Sequence, residues 1–267
     1  MYFGTVEKPP RLSEFDLEVP EKLVSKTAYK KRDECKLMVV DKNNKTIEHK
    51  KFKDIGNYMK KGDVLVLNNT KVYPARLFAQ KDRSNAKVEI FLLRELANDL
   101  WEAMVKPARK VRIGNKLIFN KDIACDVIDN TVSGGRVLRF EYNMPSIYPF
   151  IDKNGHSPLP PYIKRNPTES DKKDYQTVYA SERGSVAAPT AGLHLSDELL
   201  QALHLKGVKQ ACVTLHVGLG TFRPLETEDL THLKLHSEWV EVSDQVVEAV
   251  NNCRSSGGRV IAVGTTS

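Results

Sequence analysis

Between residues 75 and 142 the chain breaks into short β-rich pieces, at 75–79, 87–93, 101–105, 116–119, 124–128 and 136–140. Turn signals such as Gly114-Asn115 and Gly134-Gly135 part several of them. Short strands at regular spacing with turn residues between them are the pattern of a small antiparallel barrel. This stretch limits the fold more than any other, because the chain on either side of it has a different rhythm and must form a different layer.

Upstream, Val64-Leu-Val-Leu-Asn-Asn-Thr70 is an apolar run that stops at polar residues, as a strand covered on both faces does. Residues 36–41 and 46–50 flank an Asn43-Asn44 turn and read as a hairpin, 54–60 as a short helix, and 14–20 as a short strand. Residues 148–167 are proline-rich and read as an extended connector exposing Tyr162, Lys164 and Arg165. Further on, Ser196 is a good N-cap and Gly207 a good stop for an amphipathic helix. A strand over 208–217, a second helix over 244–253 and a buried strand over 259–263 follow. Strand, helix and strand in that order make a mostly parallel sheet. The expected fold is therefore mixed α/β: a mostly parallel, Rossmann-like sheet domain from residues 1–75 and 148–267, with residues 76–147 inserted as a small β-barrel-like domain. The final Gly264-Thr-Thr-Ser267 is a turn and N-cap signature with no helix behind it, so a truncated chain is expected.

The chain has 267 residues and a net charge of +7, which favours polyanionic partners such as RNA. It has no apolar run of membrane-spanning length and no apolar leader, so a cytoplasmic location is expected. Cys35, Cys125, Cys212 and Cys253 are far apart, and His232 and His236 lack a third ligand nearby, so no metal is expected.

The chemistry is concentrated in Gly184-Ser-Val-Ala-Ala-Pro-Thr-Ala-Gly-Leu-His194 and Thr214-Leu-His-Val-Gly-Leu-Gly-Thr-Phe-Arg-Pro224. Small residues let the backbone approach a ligand, while His194, His216, Thr190, Thr221 and Arg223 can hydrogen-bond it or move protons. Gly218-Leu-Gly220 lacks the third glycine and the following helix of a dinucleotide fingerprint.

These two segments, together with Leu65-Val-Leu-Asn-Asn-Thr-Lys-Val-Tyr-Pro-Ala-Arg-Leu-Phe78, Pro158-Leu-Pro-Pro-Tyr-Ile163, Asp174-Tyr-Gln-Thr-Val-Tyr-Ala180, His236-Ser-Glu238 and Ala262-Val-Gly-Thr-Thr-Ser267, resemble the S-adenosylmethionine:tRNA ribosyltransferase-isomerases of queuosine biosynthesis. Leu195 stands where that family usually has Phe, and its members continue beyond the Gly-Thr-Thr-Ser turn.

The resemblance implies an enzyme that attaches the ribosyl part of S-adenosylmethionine, rearranged to an epoxycyclopentane, to 7-aminomethyl-7-deazaguanine at a tRNA wobble position, releasing adenine and methionine. The sulfonium makes the C5′ protons acidic, so a positioned base is needed, and His194 and His216 are suited to that task. Glu238 or one of the histidines can protonate the departing adenine. Asn69, Gln176, Ser185, Thr190 and Arg223 are candidates for the ribose hydroxyls and the methionine carboxylate. Gly192, Gly218, Gly220 and Thr221 are expected to line the same site. Arg76, Lys106, Arg109, Lys164 and Arg165 are candidates for tRNA phosphates, and Tyr175 and Tyr179 for the base pocket. The implied partners are S-adenosylmethionine, as substrate, and the precursor-bearing tRNA, with the protein acting as a monomer. A tRNA methyltransferase and a non-catalytic RNA-binding protein are the competing readings.

Overall fold

The structure, a computed structural model, describes residues 9–132, 134–222, 225, 227–232 and 237–267. Its strands and helices, in chain order, are β1 (Lys36–Asp41), β2 (Thr46–Lys51), β3 (Val64–Asn68), β4 (Thr70–Val72), β5 (Arg76–Lys81), β6 (Lys87–Ala97), β7 (Leu100–Lys106), β8 (Lys116–Ile118), β9 (Ile123–Asn130) and β10 (Arg136–Tyr142). The helices α1 (Tyr148–Asn154) and α2 (Asp171–Asp174) follow, then β11 (Glu182–Ser185), α3 (Asp197–Leu205), β12 (Lys209–His216), β13 (Trp239–Glu241), α4 (Asp244–Ser255) and β14 (Val260–Ala262).

Strands β5 to β10 close into an antiparallel barrel in the order β10-β7-β6-β5-β8-β9. Closure leaves the barrel no exposed edge. The alternation on β9 and β5 sends Leu77, Cys125 and Val127 inward, where they meet Ile90, Leu92, Trp101, Leu117 and Leu138. The same core runs out of the barrel to Tyr73, Phe150, Ile151 and Val186, so barrel and flanking chain share one apolar cluster.

The other layer is a four-stranded sheet, β13-β12-β3-β14. Strands β12 and β14 both run parallel to β3, and β13 is an antiparallel edge beside β12. Strand β3 is buried along its whole length because α3 packs on one side, through Leu199 and Leu203, and α4 on the other, through Val246 and Cys253. Helix α3 starts where Ser196 Oγ accepts from the Leu199 N–H at 3.2 Å and stops before Gly207, whose φ of +89° suits glycine. An ion pair between a half-exposed guanidinium and a buried carboxylate pins the start of the sheet: Arg259 Nη2 donates to Asp63 Oδ2 at 2.6 Å, and the Arg259 guanidinium holds the Asp63 carboxyl well below its ordinary pKa. A second, two-stranded parallel pairing joins β4 to β11.

The mixed α/β class and the closed barrel expected from the sequence are both present. Several local expectations are corrected. Residues 14–20 form no strand: Leu12–Phe15 and Glu21–Leu23 are 3₁₀ turns, because Phe15, Leu17 and Val19 have no neighbouring strand and lie exposed. The expected helix at 54–60 is instead a 3₁₀ helix, Phe52–Tyr58, anchored by buried Phe52. The proline-rich connector opens with α1, where Pro149 occupies the first turn and needs no N–H partner. No helix among the described residues is long and apolar enough to cross a membrane.

Candidate functional site

A cavity of about 420 Å³ lies where the barrel meets the carboxyl end of β12. Its barrel wall carries Glu95, Trp101 and the neighbouring Tyr148, and its opposite wall carries Gly184, His216, Gly218, Glu238 and Trp239. The sequence brings these together through topology. Strand β12 ends at His216, β13 returns beside it with Trp239 directly opposite His216, and β11 delivers Gly184 to the same corner.

His216 is fixed on three sides. Its Nδ1 lies 2.8 Å from Thr70 Oγ1 at the start of β4. Its ring stacks on the Trp239 indole with centroids 4.9 Å apart and planes at 18°. Its Nε2 lies so close to Gly184 that a Cβ there would come within 2.4 Å, which only glycine avoids. Burial lowers the His216 pKa, with Glu182 opposing weakly, so the imidazole is neutral and keeps a lone pair at neutral pH. Glu238 lines the same cavity: one carboxylate oxygen accepts the Gly218 N–H at 2.9 Å, and the residue is exposed.

The barrel wall has a different character. Tyr73, Trp101 and Tyr148 form an edge-to-face series, with centroids 5.7 and 5.9 Å apart. The Tyr148 hydroxyl donates to Glu95 Oε2 at 2.5 Å, and the Arg183 guanidinium covers the Tyr148 ring while making a bidentate pair with Asp152. Among the described residues, however, the Tyr73 hydroxyl and the Trp101 Nε1–H have no hydrogen-bond partner, although these residues are only 3% and 1% exposed. A buried donor left unpaired costs about 1–3 kcal/mol.

His194 is elsewhere. It closes the short 3₁₀ helix Thr190–His194 and borders a different cavity, of about 860 Å³, lined by Arg32, Cys35, Lys53 and Lys173. Its Nδ1 lies 3.2 Å from Cys35 Sγ and its ring 5.2 Å from that of Phe52. Desolvation, then the Arg32 guanidinium, lowers its pKa, while burial pushes the Cys35 thiol up, so both groups are neutral. The structure does not bring the two histidines into one cavity.

Most of the other expected ligand residues hold the protein together. Gln176 mimics a strand, accepting the Val72 N–H at 3.0 Å and donating to the Val72 carbonyl at 2.9 Å. Ser185 Oγ donates to the Ala187 carbonyl and accepts the Val217 N–H, tying β11 to the end of β12. Asn69 Oδ1 accepts from the Thr214 hydroxyl. Arg165 is clamped bidentately on Asp171, both contacts at 2.7 Å, which holds that carboxyl down at about 2, and Arg76 pairs with Glu89. Tyr175 is buried against Val72 and Ala188, its phenol pushed up to about 12 by desolvation. Tyr179 is packed against Gly192, its hydroxyl without a partner among the described residues. Thr190 is exposed, as is Thr221, which with Gly220 lies in the 3₁₀ turn Leu219–Phe222 beside the cavity rather than in its wall. Arg223 and His236 lie outside the described residues.

Reading the sequence missed Tyr73, Trp101 and Trp239. Two of them sat inside or next to a motif, Tyr73 three residues after the Asn-Asn-Thr strand end and Trp239 directly after Glu238, whereas Trp101 opens an expected barrel strand. Among the described residues no group of three or more His, Cys, Asp or Glu is placed to hold a metal ion.

Comparison with known proteins gives this geometry a family. A relative named S-adenosylmethionine:tRNA ribosyltransferase-isomerase from Chloroherpeton thalassium is 49% identical over 96% of this chain and 75% of its own. One of the same name from Flavobacterium psychrophilum is 50% identical, again over 96% and 75%. A solved S-adenosylmethionine tRNA ribosyltransferase from Thermotoga maritima aligns with 93% of this chain and 68% of its own, at 30% identity and a TM-score of 0.41. The profile of the family described as queuosine biosynthesis protein matches residues 12–267. The chain belongs to that queuosine biosynthesis family.

Proposed function

We propose that this protein transfers the ribosyl moiety of S-adenosylmethionine to 7-aminomethyl-7-deazaguanine at the wobble position of a tRNA, giving epoxyqueuosine and releasing adenine and methionine. One observation carries the assignment to this site: a neutral imidazole, His216, and a carboxylate, Glu238, line one aromatic-walled cavity, in a chain whose family relatives bear that activity in their names.

The residues divide the work. His216, with Nδ1 tied to the Thr70 hydroxyl, is the base for a C5′ proton when Nδ1 holds the hydrogen and Nε2 the lone pair. The Trp239 stack and the absence of a Cβ at Gly184 hold the ring in place. Glu238 lines the same cavity and carries the proton taken from C5′ on to the departing adenine. The aromatic faces of Trp101, Tyr148 and Trp239 suit a sulfonium cation. His194 borders a separate cavity and acts on the fold through Cys35 and Phe52 rather than on the substrate.

We read residues 76–147 as an inserted domain and residues 1–75 with 148–267 as its host. Strands β12, β3 and β14 make a reduced Rossmann-like layer, and the carboxyl end of β12 reaches the site. With Arg165 and Arg76 committed to carboxylates and Lys164 paired with Glu21, the exposed Lys106 and Arg109 on the barrel are the remaining cations of the expected set for tRNA phosphates.

The test is to incubate the protein with labelled S-adenosylmethionine and tRNA bearing the aminomethyl-deazaguanine. Free adenine and methionine are expected. Methylated RNA with S-adenosylhomocysteine, or binding of RNA that S-adenosylmethionine leaves unchanged and no release of adenine, would sink the assignment.

A further inference from the structure

We infer that the Tyr73 hydroxyl and the Trp101 indole N–H form the base-reading pair of the cavity, donating to ring nitrogens of the adenine of S-adenosylmethionine. The inference rests on the reading of this chain as an enzyme that uses S-adenosylmethionine.

Four observations carry it. Both side chains wall the cavity that contains His216 and Glu238. Both are more than nine-tenths buried, and neither donor has a partner among the described residues. They are neighbours, their rings 5.7 Å apart and edge to face. Glu95, a carboxylate in the same cavity wall, takes the Tyr148 hydroxyl at 2.5 Å and bonds neither of the two donors.

Native interiors pair their buried donors, so two orphans side by side in one cavity wall point to a ligand that supplies acceptors. The ligand class follows from hydrogen-bonding capacity. Indole N–H is a donor only, and a neutral phenol donates readily. Adenine presents unprotonated ring nitrogens at positions 1, 3 and 7. A 7-deazaguanine has carbon at position 7 and donors at N1 and the 2-amino group, which leaves only O6 and N3 to accept. Two neighbouring donors find three ring acceptors on adenine against two acceptors interleaved with donors on the deazaguanine, which favours adenine, and the edge-to-face aromatic series supplies apolar surface for a flat ring.

Tyr73→Phe removes one hydroxyl and little else. Calorimetric titration of wild type and variant with S-adenosylmethionine is expected to show affinity weakened roughly 2- to 12-fold, the range set by one neutral hydrogen bond. The affinity for precursor-bearing tRNA is expected to stay the same, and thermal stability without ligand not to fall, since the hydroxyl makes no bond inside the protein. Trp101→Phe is the second variant, expected to weaken S-adenosylmethionine in the same way. Titrating deaza analogues of S-adenosylmethionine, one ring nitrogen replaced by carbon at a time, adds a readout that a merely structural role would not move: one analogue should bind wild type weakly and bind Tyr73→Phe no worse than it binds wild type.

Unchanged affinity for S-adenosylmethionine in both variants overturns the inference. A loss confined to tRNA affinity also overturns it and gives the pair to the acceptor base. If wild type binds S-adenosylmethionine yet releases no adenine, the functional assignment fails while the titrations still decide the adenine pair.

Discussion

The two histidine-bearing segments resemble each other in sequence and differ in almost everything their surroundings impose. Both place the imidazole directly after a leucine with a glycine two residues away, and both imidazoles have lowered pKa values caused first by desolvation. His216 ends a strand in the middle of the polar edge of a parallel sheet and is stacked, hydrogen-bonded and pressed against a glycine beside a carboxylate. His194 ends a 3₁₀ turn, and its ring touches a thiol and a phenyl group. A base needs a fixed ring with a reachable lone pair in the substrate's cavity, and only the first environment combines these. Motif company identifies a neighbourhood; the strand register decides which side chain is presented to it.

The sharpest way to break this contrast is to remove each ring. His216→Ala should lower kcat for adenine release by about 10²- to 10⁴-fold, the range for a positioned proton-transfer group, with small changes in the affinities for S-adenosylmethionine and tRNA. His194→Ala should cost about 1 kcal/mol of stability, read as a lower Tm, and leave kcat within a few-fold of wild type. Equal losses of kcat in the two variants would restore His194 to catalysis.

The glycines give a finer version of the same contrast. A Cβ on Gly184 would meet His216 Nε2 at 2.4 Å, and one on Gly192 would meet the Tyr179 hydroxyl at 1.9 Å and Thr177 Cγ2 at 3.1 Å. Gly184→Ala should displace the imidazole, so turnover falls at least tenfold while Tm changes little. Gly192→Ala overpacks a buried corner and should cost about 1–3 kcal/mol, with turnover per folded molecule largely kept. Urea denaturation alongside adenine-release rates separates the two outcomes.

How much of this could be read from the sequence follows the range of the forces involved. The barrel strands were legible because alternation and turn residues are local, and α3 because Ser196 and Gly207 mark its ends. Strand β3 was legible from its unbroken apolar run, buried at every position. Residues 14–20 misled because alternation without a partner strand carries no sheet. Of the residues that line the cavity, His216 and Gly218 stood out in the sequence because small and titratable residues cluster around them, and Glu238 through the chemistry that the resemblance implies. Arg165, Gln176 and Ser185 were misjudged for a common reason. Each is a good ligand group, and each finds its partner inside the protein, at Asp171, Val72 and Val217, by contacts that no spacing rule encodes. Tyr73 and Trp101 were overlooked for the converse reason: an aromatic in an apolar cluster reads as core until its polar atom is found without a partner.

The smallest expected effects are in pH dependence, and they separate the histidines by kind of readout. Folding favours the neutral form of both rings, so their folded pKa values lie below the ordinary value near 6.5. The unfolded chain therefore binds protons first as pH falls. The stability that both rings contribute is present above about pH 6.5 and declines as pH drops through that value toward the folded pKa values. Replacing either histidine by Asn should flatten this part of the stability curve. Catalysis responds to one ring only. The acid limb of kcat/KM should have its midpoint below about 6.5, because protonating His216 removes the base. His194→Asn should leave that midpoint where it is, and a variant that frees His216 from desolvation, such as Trp239→Ala, should move it upward toward the ordinary value. A midpoint that follows His194 and ignores Trp239 would reverse the assignment of the two rings.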